Sequence, residues 1–548
     1  GESLGLSGRE VLDWDCVVCG GTLGIFVALA LVRRGFRVAV VEQGKLVGRD
    51  QEWNASRAEL YHLEQLGILD SHQIDEAIVS EFNPMRCGFG LESDEKLVVQ
   101  VRDVLNIGVS PKVLIAHAKE SFLELGGKLF EYMRFENAVI HPDGVEIRLR
   151  DVEARRSGSQ GAGGADWIDN ASSELGRKTL YARLLVDAMG HFSPIAAQSR
   201  KFSLPDGYCL VVGSCAKNFR EHETDGSGDL IYSFTDVENG LQYFWEKFPA
   251  QGGGKTTYMF MYASRTSPKP SLREMFQDYL RLLPKYQGTP VEELSPERLF
   301  FGFFPSYKRS PLRSSFDRVF HIGDASGLQS PISFGGFGSL LRHLPRLSEG
   351  LVEALGSDQN LRSSRLGLLA PYQPNLSVTW LFQKAMTASS VTSSSPDFIS
   401  QVMTSMFRVM SNKDKAVMYS FLRDVVQFRP LLVSILGMVL SNPLLGIRVL
   451  GHVGPLSLIQ WIVDFVALGA IGVLHGLGEV LKSILLIRAS ADRVFVVNRV
   501  LDGWKYGSGR DLSFDVPDSV GPPPRLPAPL ETRAPTYPSR KLFRVPTE

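Results

Sequence analysis

The sequence predicts an α/β protein that combines a parallel sheet of the dinucleotide-binding kind, an antiparallel β-sheet and a C-terminal helical region. Three observations predict this class. A strand, a glycine turn, a helix and a second strand follow one another from residue 14, residues 207–265 alternate like antiparallel strands, and residues 376–490 are mostly apolar with a helical pattern. The length of 548 residues allows roughly three or four domain-sized units.

Composition excludes several classes of function. Lys and Arg total 59 and Asp and Glu total 59, so the formal net charge is zero and no nucleic-acid partner is expected. The five cysteines are odd in number and scattered, and no two histidines have the spacing of metal ligands, so we predict neither a disulfide framework nor a metal site. Cys16 and Cys19 are expected on opposite faces of one buried strand rather than as a redox pair.

The segment that begins at Trp14 has the pattern of a βαβ dinucleotide-binding unit. A β-rich run ends at Cys19, a glycine turn and a helix over 25–34 follow, and a second strand ends in an acidic residue. Glycines let the backbone approach a pyrophosphate at the helix N-terminus, and the carboxylate accepts a ribose hydroxyl. Cys19 replaces the first glycine of the G-x-G-x-x-G pattern. The predicted dinucleotide contacts are Gly20, Gly21, Gly24 and Glu42.

Two arginines after the second strand are candidates for the cationic partners of the phosphates. Arg49 and Arg57 come soon after the acidic residue, and a flavin dinucleotide needs cationic partners for its phosphate groups. Solvated surface arginines are the alternative. We predict that Arg57 binds phosphate. For Arg49, a phosphate contact and a solvated surface position stay equally open.

Two further glycine turns suit FAD. Residues 181–187 form an apolar strand that ends in an acid, and residues 318–322 form a strand followed by Gly-Asp and then by a glycine-rich helix start. Such turns lie at the carboxyl edge of a parallel sheet, where ligands bind. The acid of the last turn would bind the ribityl chain, and the N–H groups of the helix start would face the flavin. The residues predicted to bind FAD here are Asp187, Gly190, Gly323, Asp324, Pro331, Gly335 and Gly336.

Together the three turns resemble the flavoprotein superfamily of aromatic hydroxylases, geranylgeranyl reductases and lycopene cyclases. Further stretches are similar to the CruA/CruP group of lycopene cyclase-like proteins, and to its CruP branch above all. The resemblance covers roughly residues 14 to 500. The stretches are 19–24 (CGGTLG), 51–54 (QEWN), 82–84 (FNP), 105–111 (LNIGVSP), 242–246 (QYFWE), 329–331 (QSP) and 380–383 (WLFQ).

The resemblance implies a Rossmann-type FAD-binding domain with an antiparallel β-sheet substrate domain and a C-terminal helical, membrane-associating region. It implies an FAD-dependent, carotenoid-modifying enzyme that acts on a membrane-dissolved polyene, by cyclisation or by reductive or epoxide chemistry. The implied location is the plastid, peripheral or monotopic on the thylakoid or envelope membrane. The implied partners are a carotenoid or other isoprenoid, the lipid surface and photosynthetic membrane complexes.

Two other classes of function stay open. One is a flavin-dependent hydroxylase or reductase of another isoprenoid, and the other is a non-catalytic subunit of a photosynthetic membrane complex that binds flavin and carotenoid. No second dinucleotide fold is visible in the sequence. If NADPH is the reductant, we therefore expect it to dock transiently.

Glu246 and His191 are the candidate catalytic residues. In a cyclase-type reaction, a desolvated acid protonates a terminal double bond of the polyene, and the flavin stabilises the developing carbocation. Glu246 ends an otherwise aromatic run, which suits polyene packing; its alternative place is the solvent face of an amphipathic strand. His191 follows the Asp187 turn, with a hydrogen-bonded core histidine as the alternative.

The C-terminal region is unusually apolar. Asn442-Pro443 interrupts its first long apolar run, and the run over 465–478 is only 14 residues long, so we predict monotopic membrane insertion. The alternatives are a helix that crosses the bilayer and a buried helical subdomain. Between residues 430 and 487 the charged residues are Arg448, Asp464, Glu479 and Lys482.

Domain boundaries follow from these segments. The Gly/Ser-rich stretch 155–175 is expected to be a flexible insertion, and Gly253-Gly254 a hairpin turn rather than part of a P-loop. The predicted units are an FAD-binding domain over 14–200 and 300–350, a β-sheet substrate domain over 201–299, an apolar helical region over 351–510 and a Pro-rich disordered tail over 511–548.

Overall fold

A computed structural model gives the fold of most of the chain. The predicted insertion at 155–175 and the tail from residue 513 onward lie outside the described residues. The structure describes residues 12–90, 97–152, 176–220, 226–265, 267, 269–333, 335–388, 395–413 and 415–512.

The described elements alternate in type along the first half of the chain and become helical in the second. The strands are β1 (Trp14–Cys19), β2 (Val38–Val41), β3 (Trp53–Ala55), β4 (Ile78–Glu81), β5 (Met85–Phe89), β6 (Leu97–Val101), β7 (Ile107–Val109), β8 (Lys128–Phe130), β9 (Met133–Ile140), β10 (Val145–Asp151), β11 (Arg177–Asp187), β12 (Gly207–Lys217), β13 (Gly228–Ser233), β14 (Phe244–Pro249), β15 (Lys255–Ser264), β16 (Ser295–Ser306) and β17 (Val319–His321). The helices are α1 (Gly21–Val32), α2 (Arg57–Gln65), α3 (Ser71–Ala77), α4 (Pro111–Glu124), α5 (Pro194–Ser199), α6 (Leu272–Gln287), α7 (Gly336–Leu355), α8 (Ser363–Leu366), α9 (Pro374–Ser377), α10 (Thr379–Ala385), α11 (Phe398–Lys413), α12 (Lys415–Leu422), α13 (Phe428–Ser441), α14 (Pro443–Val453), α15 (Pro455–Leu485) and α16 (Ala491–Gly507).

The first sheet has the predicted dinucleotide-binding topology. Its strand order is β8-β2-β1-β11-β10-β9, with β17 paired to β11, and the pairs among β8, β2, β1, β11 and β17 are parallel. In register, Cys19 pairs with Asp187 and Asp187 pairs with His321. The three predicted turns therefore leave the sheet side by side, at its carboxyl edge.

Helix α1 starts earlier than the sequence pattern indicates. It begins at Gly21 rather than at Ile25, because the chain has already turned at Gly20, whose φ is 99°. The helix is buried along nearly its whole length and packs in the main apolar core with α4 and α7. Cys16 and Cys19 are both buried, free thiols on β1.

The second sheet is larger than the predicted substrate domain. Its order is β16-β12-β15-β14-β13-β5-β6, so it includes two strands from within 14–200 and extends past residue 300 along β16. Strand β5 pairs with β13 in parallel and is mostly buried, which explains why these residues leave the first domain. Strands β14 and β15 form an antiparallel hairpin around Gly253-Gly254, as predicted.

Two different layers cover the second sheet. On one face, Trp245 and neighbouring apolar residues pack against α6. On the other face, Phe244 packs in a Met- and Phe-rich core with α11 and α12. Because side chains alternate along a strand, Glu246 lies on the Phe244 face, towards the helices rather than solvent. The alternative that placed Glu246 on a solvent face is wrong.

The C-terminal helices present an apolar surface. Helices α13 and α14 are bent by 116° at the predicted interruption, Asn442-Pro443. Helix α15 runs unbroken for 31 residues; among the described residues it is the one helix long and apolar enough, by length and composition, to cross a membrane. The apolar run predicted from the sequence begins only after the charged residue Asp464. In the structure, the Asp464 carboxylate accepts a hydrogen bond from the Tyr372 hydroxyl and so faces the protein. The run over 465–478 is thus part of a longer helix.

Candidate functional site

A cavity of about 750 Å³ lies at the carboxyl edge of the parallel strands and extends to the second sheet. Residues from all three glycine turns line it, as do residues of β14 and of the loop after α12. Its volume is in the range of ligand and cofactor pockets. The sequence-predicted residues that line it are Gly20, Glu42, Gly190, Glu246, Gly323, Asp324, Gly335 and Gly336.

The turn after β1 is closed by its neighbours. A Cβ atom on Gly20 would lie 2.3 Å from the carbonyl oxygen of Ala188, so only glycine fits there. Glu42 lines the cavity, and its carboxylate accepts a hydrogen bond from the Gly21 N–H at 2.8 Å. The acid is thus fixed beside the N-terminus of α1, where it can accept a ribose hydroxyl.

Gly24 has a different role from the predicted one. It does not line the cavity, and a Cβ there would lie 2.6 Å from the Val18 side chain. Gly24 therefore lets α1 pack closely on β1, which places the helix N-terminus at the cavity without contact between Gly24 and the ligand.

Asp187 also acts behind the cavity wall. Its carboxylate is completely buried, accepts hydrogen bonds from Met189 N–H at 3.1 Å and from the Ser193 hydroxyl at 2.5 Å, and lies 2.9 Å from His321 Nδ1. It joins the second turn to the end of β17. His321 was missed by sequence reasoning, although its place just before Gly323 marks it as a residue of the third turn.

Arg57 lies away from the cavity, contrary to prediction. Its guanidinium pairs with Asp75 at 2.8 Å and Glu81 at 3.4 Å on the surface. Arg49 lines the cavity instead, with its guanidinium carbon 6.0 Å from the centre of the Trp53 ring. The chain between β2 and β3 folds over the cavity and carries Arg49, whereas α2 carries Arg57 outward. Arg49 is therefore the cationic candidate for a phosphate.

His191 and Pro331 border the cavity without lining it. His191 Nε2 lies 3.6 Å from Asp324 Oδ2, and burial lowers the pKa of the imidazole below its ordinary value. A neutral imidazole at physiological pH is a poor proton donor, so His191 is better suited to orient Asp324. Pro331 is buried beside Ser330, which does line the cavity.

A second, apolar pocket of about 50 Å³ opens from the same region. Glu246 and Asp424 line both spaces. Burial raises the pKa of Glu246 to about 8, with the Asp424 charge adding to the shift. Burial also raises the pKa of Asp424 to about 6. The other residues of the pocket are mainly apolar: Leu230, Ile231, Phe260, Tyr262, Ile332, Ser333, Phe382, Ala385, Met386, Val402, Met403, Met406, Phe407, Phe421 and Leu422.

Sequence reasoning missed Asp424 and its neighbour. Arg423 lines the cavity and makes a buried ion pair with Glu59 of α2. The available signal was the adjacent Arg423 and Asp424 directly after an apolar helical stretch, because charged residues in apolar surroundings are usually paired.

The residues present fit a flavin dinucleotide. The N-termini of α1 and α7 both reach the cavity, and an added Cβ at Gly190 or Gly338 would meet nothing within 4 Å, so the backbone there is open to a ligand. Oε2 of Glu52, a lining residue, is buried and has no hydrogen-bond partner among the described residues. Backbone N–H donors at two helix N-termini, the Glu42 carboxylate and the unpaired Glu52 oxygen thus line the same cavity.

The fold is that of the Rossmann-type proteins, and several solved structures share it. The chain matches a geranylgeranyl bacteriochlorophyll reductase-like protein from Thermoplasma acidophilum with a TM-score of 0.52 at 12% identity, over 80% of this chain and 99% of that one. It matches a flavoprotein/dehydrogenase from Cytophaga hutchinsonii with a TM-score of 0.52 at 14% identity, over 80% and 99%. It matches the halogenase PltM, solved with phloroglucinol and FAD, with a TM-score of 0.51 at 12% identity, over 90% and 96%.

These likenesses confirm the predicted fold class. No family model matches the sequence, and no curated protein matches it significantly. Membership of the CruA/CruP group therefore stays a prediction, as do the carotenoid substrate and the plastid location.

Proposed function

We propose that the protein is an FAD-dependent enzyme that uses a buried acid to initiate the conversion of a long apolar isoprenoid, a carotenoid polyene, by proton transfer. The observation that carries this proposal is the position of Glu246. Its carboxyl group lies where the dinucleotide cavity meets a Met- and Phe-lined pocket, and burial there raises its pKa to about 8.

The cavity residues divide the work of holding FAD. The N-terminus of α1, Glu42 and Arg49 would hold the adenosine and phosphate part. Asp324 and the start of α7 would hold the riboflavin part. When bound in reduced form, the flavin supplies an electron-rich ring that stabilises positive charge on a nearby substrate.

Glu246 can donate a proton because its surroundings disfavour its charged form. Apolar side chains surround it on its side of the second sheet, and burial raises its pKa to about 8. A general acid with a pKa near the working pH is most effective. Phe260 and other aromatic rings that line the pocket would stabilise a cation formed beside Glu246.

Similarity to solved proteins supports the cofactor and the substrate class. One neighbour of the same fold was solved with FAD, and another is described as geranylgeranyl bacteriochlorophyll reductase-like, which names an isoprenoid group. The resemblance to the CruA/CruP group narrows the isoprenoid to a carotenoid.

We also propose that the enzyme sits on a membrane as a monotopic protein. Around the α13–α14 bend, Leu440 is 80% exposed and Leu444 is 72% exposed, and α15 adds Leu456 at 82% and Val480 at 75%. Such an apolar surface is costly in water and suits the headgroup–acyl boundary of a bilayer. Substrate dissolved in that bilayer would then be close at hand. The plastid location rests on the resemblance alone.

The test is conversion of an acyclic carotene by the purified, FAD-loaded protein under anaerobic, flavin-reducing conditions. We expect an isomeric product in the wild type and a loss of about 10²–10⁴-fold in Glu246→Gln, the range for a lost general acid. Glu238→Gln, an exposed glutamate near β14, serves as the control and keeps wild-type activity. NADPH-coupled oxygen consumption without isomerisation would instead identify a hydroxylase and overturn the proposal.

A further inference from the structure

The junction between the two cavities contains a pair of acids. Leu230, Glu246, Ser333 and Asp424 are the residues that line both spaces, and two of these four are carboxylic acids. Burial in an apolar wall disfavours charge on both of them. The charge of Asp424 adds to burial in raising the pKa of Glu246, so the titrations of the two acids are coupled.

The backbone and a serine hold Asp424 in place. Asp424 lies between α12 and α13 with a φ of 59°, a left-handed conformation that Asp tolerates better than most residues. The Ser333 hydroxyl donates a hydrogen bond to its carboxylate, and Ser333 Oγ accepts one from the Gly335 N–H at 3.1 Å. A hydrogen-bonded path thus links the loop before α7 with Asp424.

The nearby arginines are engaged elsewhere. Arg423 pairs with Glu59, and Arg342 makes a two-fold ion pair with Asp511 at 2.6 and 2.7 Å. Each cation therefore has its own carboxylate, and neither makes an ion pair with Glu246 or Asp424 among the described residues.

Apart from these charged groups, the titratable groups that act on Glu246 are two phenols and a thiol. They are the Tyr258 and Tyr262 phenols and the Cys209 thiol, and burial raises the pKa of each. The charge of Asp424 adds to burial in raising the pKa of Glu246, while Arg342 lowers and Glu59 raises the pKa of Asp424.

We propose that Glu246 and Asp424 act as an acid–base pair that shares one proton, so that Asp424 is a second catalytic residue of the reaction. This inference rests on the function proposed above. Glu246 is the protonated member and delivers the proton, and Asp424 is the ionised member that accepts one.

The resulting reaction cycle consists of protonation of the polyene, ring closure and loss of a proton. Glu246 gives its proton to a terminal double bond, where a new C–H bond forms and leaves a carbocation. The next double bond attacks the cation and closes a ring, and the ring then loses a proton from carbon to Asp424, which restores a double bond. Transfer of that proton from Asp424 to Glu246 returns both acids to their starting state, with no net oxidation or reduction.

The first experiment measures the shared proton without using activity. Infrared spectra of the FAD-loaded full-length protein across pH should show the carbonyl stretch of a protonated carboxyl at neutral pH, absent in Glu246→Gln. In Asp424→Asn, which keeps the hydrogen-bond acceptor for Ser333, we expect this band to titrate at a pH lower by about one unit, because the negative neighbour is gone. An unchanged midpoint in Asp424→Asn, or no protonated carboxyl in the wild type, would overturn the pair.

The second experiment measures turnover. In heavy water we expect deuterium in the product of the wild type, and about 10²-fold or greater loss of conversion in both Glu246→Gln and Asp424→Asn. The control is Asp464→Asn, a partly buried aspartate of α15 that also accepts from a hydroxyl group, and it keeps full activity. Full activity of Asp424→Asn would overturn its catalytic role.

The two experiments separate failure of this inference from failure of the proposed function. If the wild type converts no polyene while the infrared midpoint still shifts in Asp424→Asn, the proposed function is wrong and the shared proton stands. Retained FAD absorbance and unchanged melting in each variant show that the substituted chains are folded.

Discussion

Glu246 binds a proton more tightly in the folded chain than in the unfolded chain. Burial raises the pKa of its carboxyl from 4.5 to about 8. Between these two values the folded state holds a proton that the unfolded state releases. The free energy of unfolding contributed by this group is therefore fully present below the lower value and is lost as pH rises through the upper one.

Replacement of Glu246 by Gln should remove this pH dependence. Between about pH 5 and about pH 9, the free energy of unfolding should fall less in Glu246→Gln than in the wild type, by on the order of 2 kcal/mol. This is smaller than the free energy that corresponds to the whole pKa shift, because the cavity admits water. Denaturant unfolding at both pH values measures the difference, with Glu238→Gln as the control. The same pH dependence in wild type and Glu246→Gln would show that the carboxyl is not held neutral.

Gly20 combines a positive φ with a lack of space, and Gly35 provides a matched comparison. Both have left-handed backbones, at 99° and 83°, but an added Cβ meets the Ala188 carbonyl at Gly20 and nothing within 4 Å at Gly35. We expect Gly35→Ala to cost about 1 kcal/mol, and Gly20→Ala to cost at least about 2 kcal/mol more.

Flavin retention separates these two glycine variants further. Because Gly20 shapes the cavity floor, Gly20→Ala should also lose its flavin absorbance, whereas Gly35→Ala keeps it. Equal unfolding free energies and equal flavin content in the two variants would contradict the role assigned to the turn.

At the scale of elements, the broken pair α13–α14 and the long helix α15 form one apolar surface that is also tied to the protein. Leu431 of α13 and Leu468 of α15 are buried in a shared core with Val378. Deletion of residues 430–487 would therefore unfold part of the protein as well as remove the surface. Single substitutions of the exposed residues are the better test of membrane binding.

Charges placed at the α13–α14 bend should weaken membrane binding. We expect Leu440→Glu and Leu444→Glu each to reduce co-sedimentation with lipid vesicles by at least about tenfold, since burying a leucine is worth roughly 1.5–3 kcal/mol. Leu299→Glu, at a 52% exposed position on β16, serves as the control and binds vesicles like the wild type. Unchanged sedimentation of the bend variants would argue for an apolar surface covered by another protein.

At the scale of the whole molecule, the cavity is assembled from both sheets and the helical region together. Its walls include the turn after β1, strand β14 and the loop after α12. A ligand that fills this space contacts every layer, so its binding must stabilise the fold as a unit.

FAD should therefore raise the unfolding temperature of the whole protein in one transition. At a free concentration 100 times its dissociation constant, FAD is expected to add about 2.7 kcal/mol to the free energy of unfolding. Calorimetry of the chain stripped of flavin and then titrated with FAD measures this. Riboflavin lacks the adenosine and phosphate part and should stabilise much less. No change with FAD would contradict the assignment of the cavity.

The sequence predicted what local patterns encode and missed what only tertiary contacts decide. Three glycine turns were recognised because each is a short strand–turn pattern, and parallel pairing then places them together. Arg49 and Arg57 are both near β2 in sequence, so only the path of the chain shows that Arg49 faces the cavity. Asp424 has no local motif, and its chemistry arises from the distant Ser333 and Glu246.

The parallel pairing of β5 with β13 has a consequence for how the chain is made. The β5–β6 hairpin is synthesised roughly 130 residues before its partner strand β13. Closing a loop of that length costs conformational entropy, and this cost precedes the gain from strand pairing. Until then one edge of the hairpin stays open to other chains, a recognised route to aggregation. We therefore expect fragments that stop before residue 228 to precipitate.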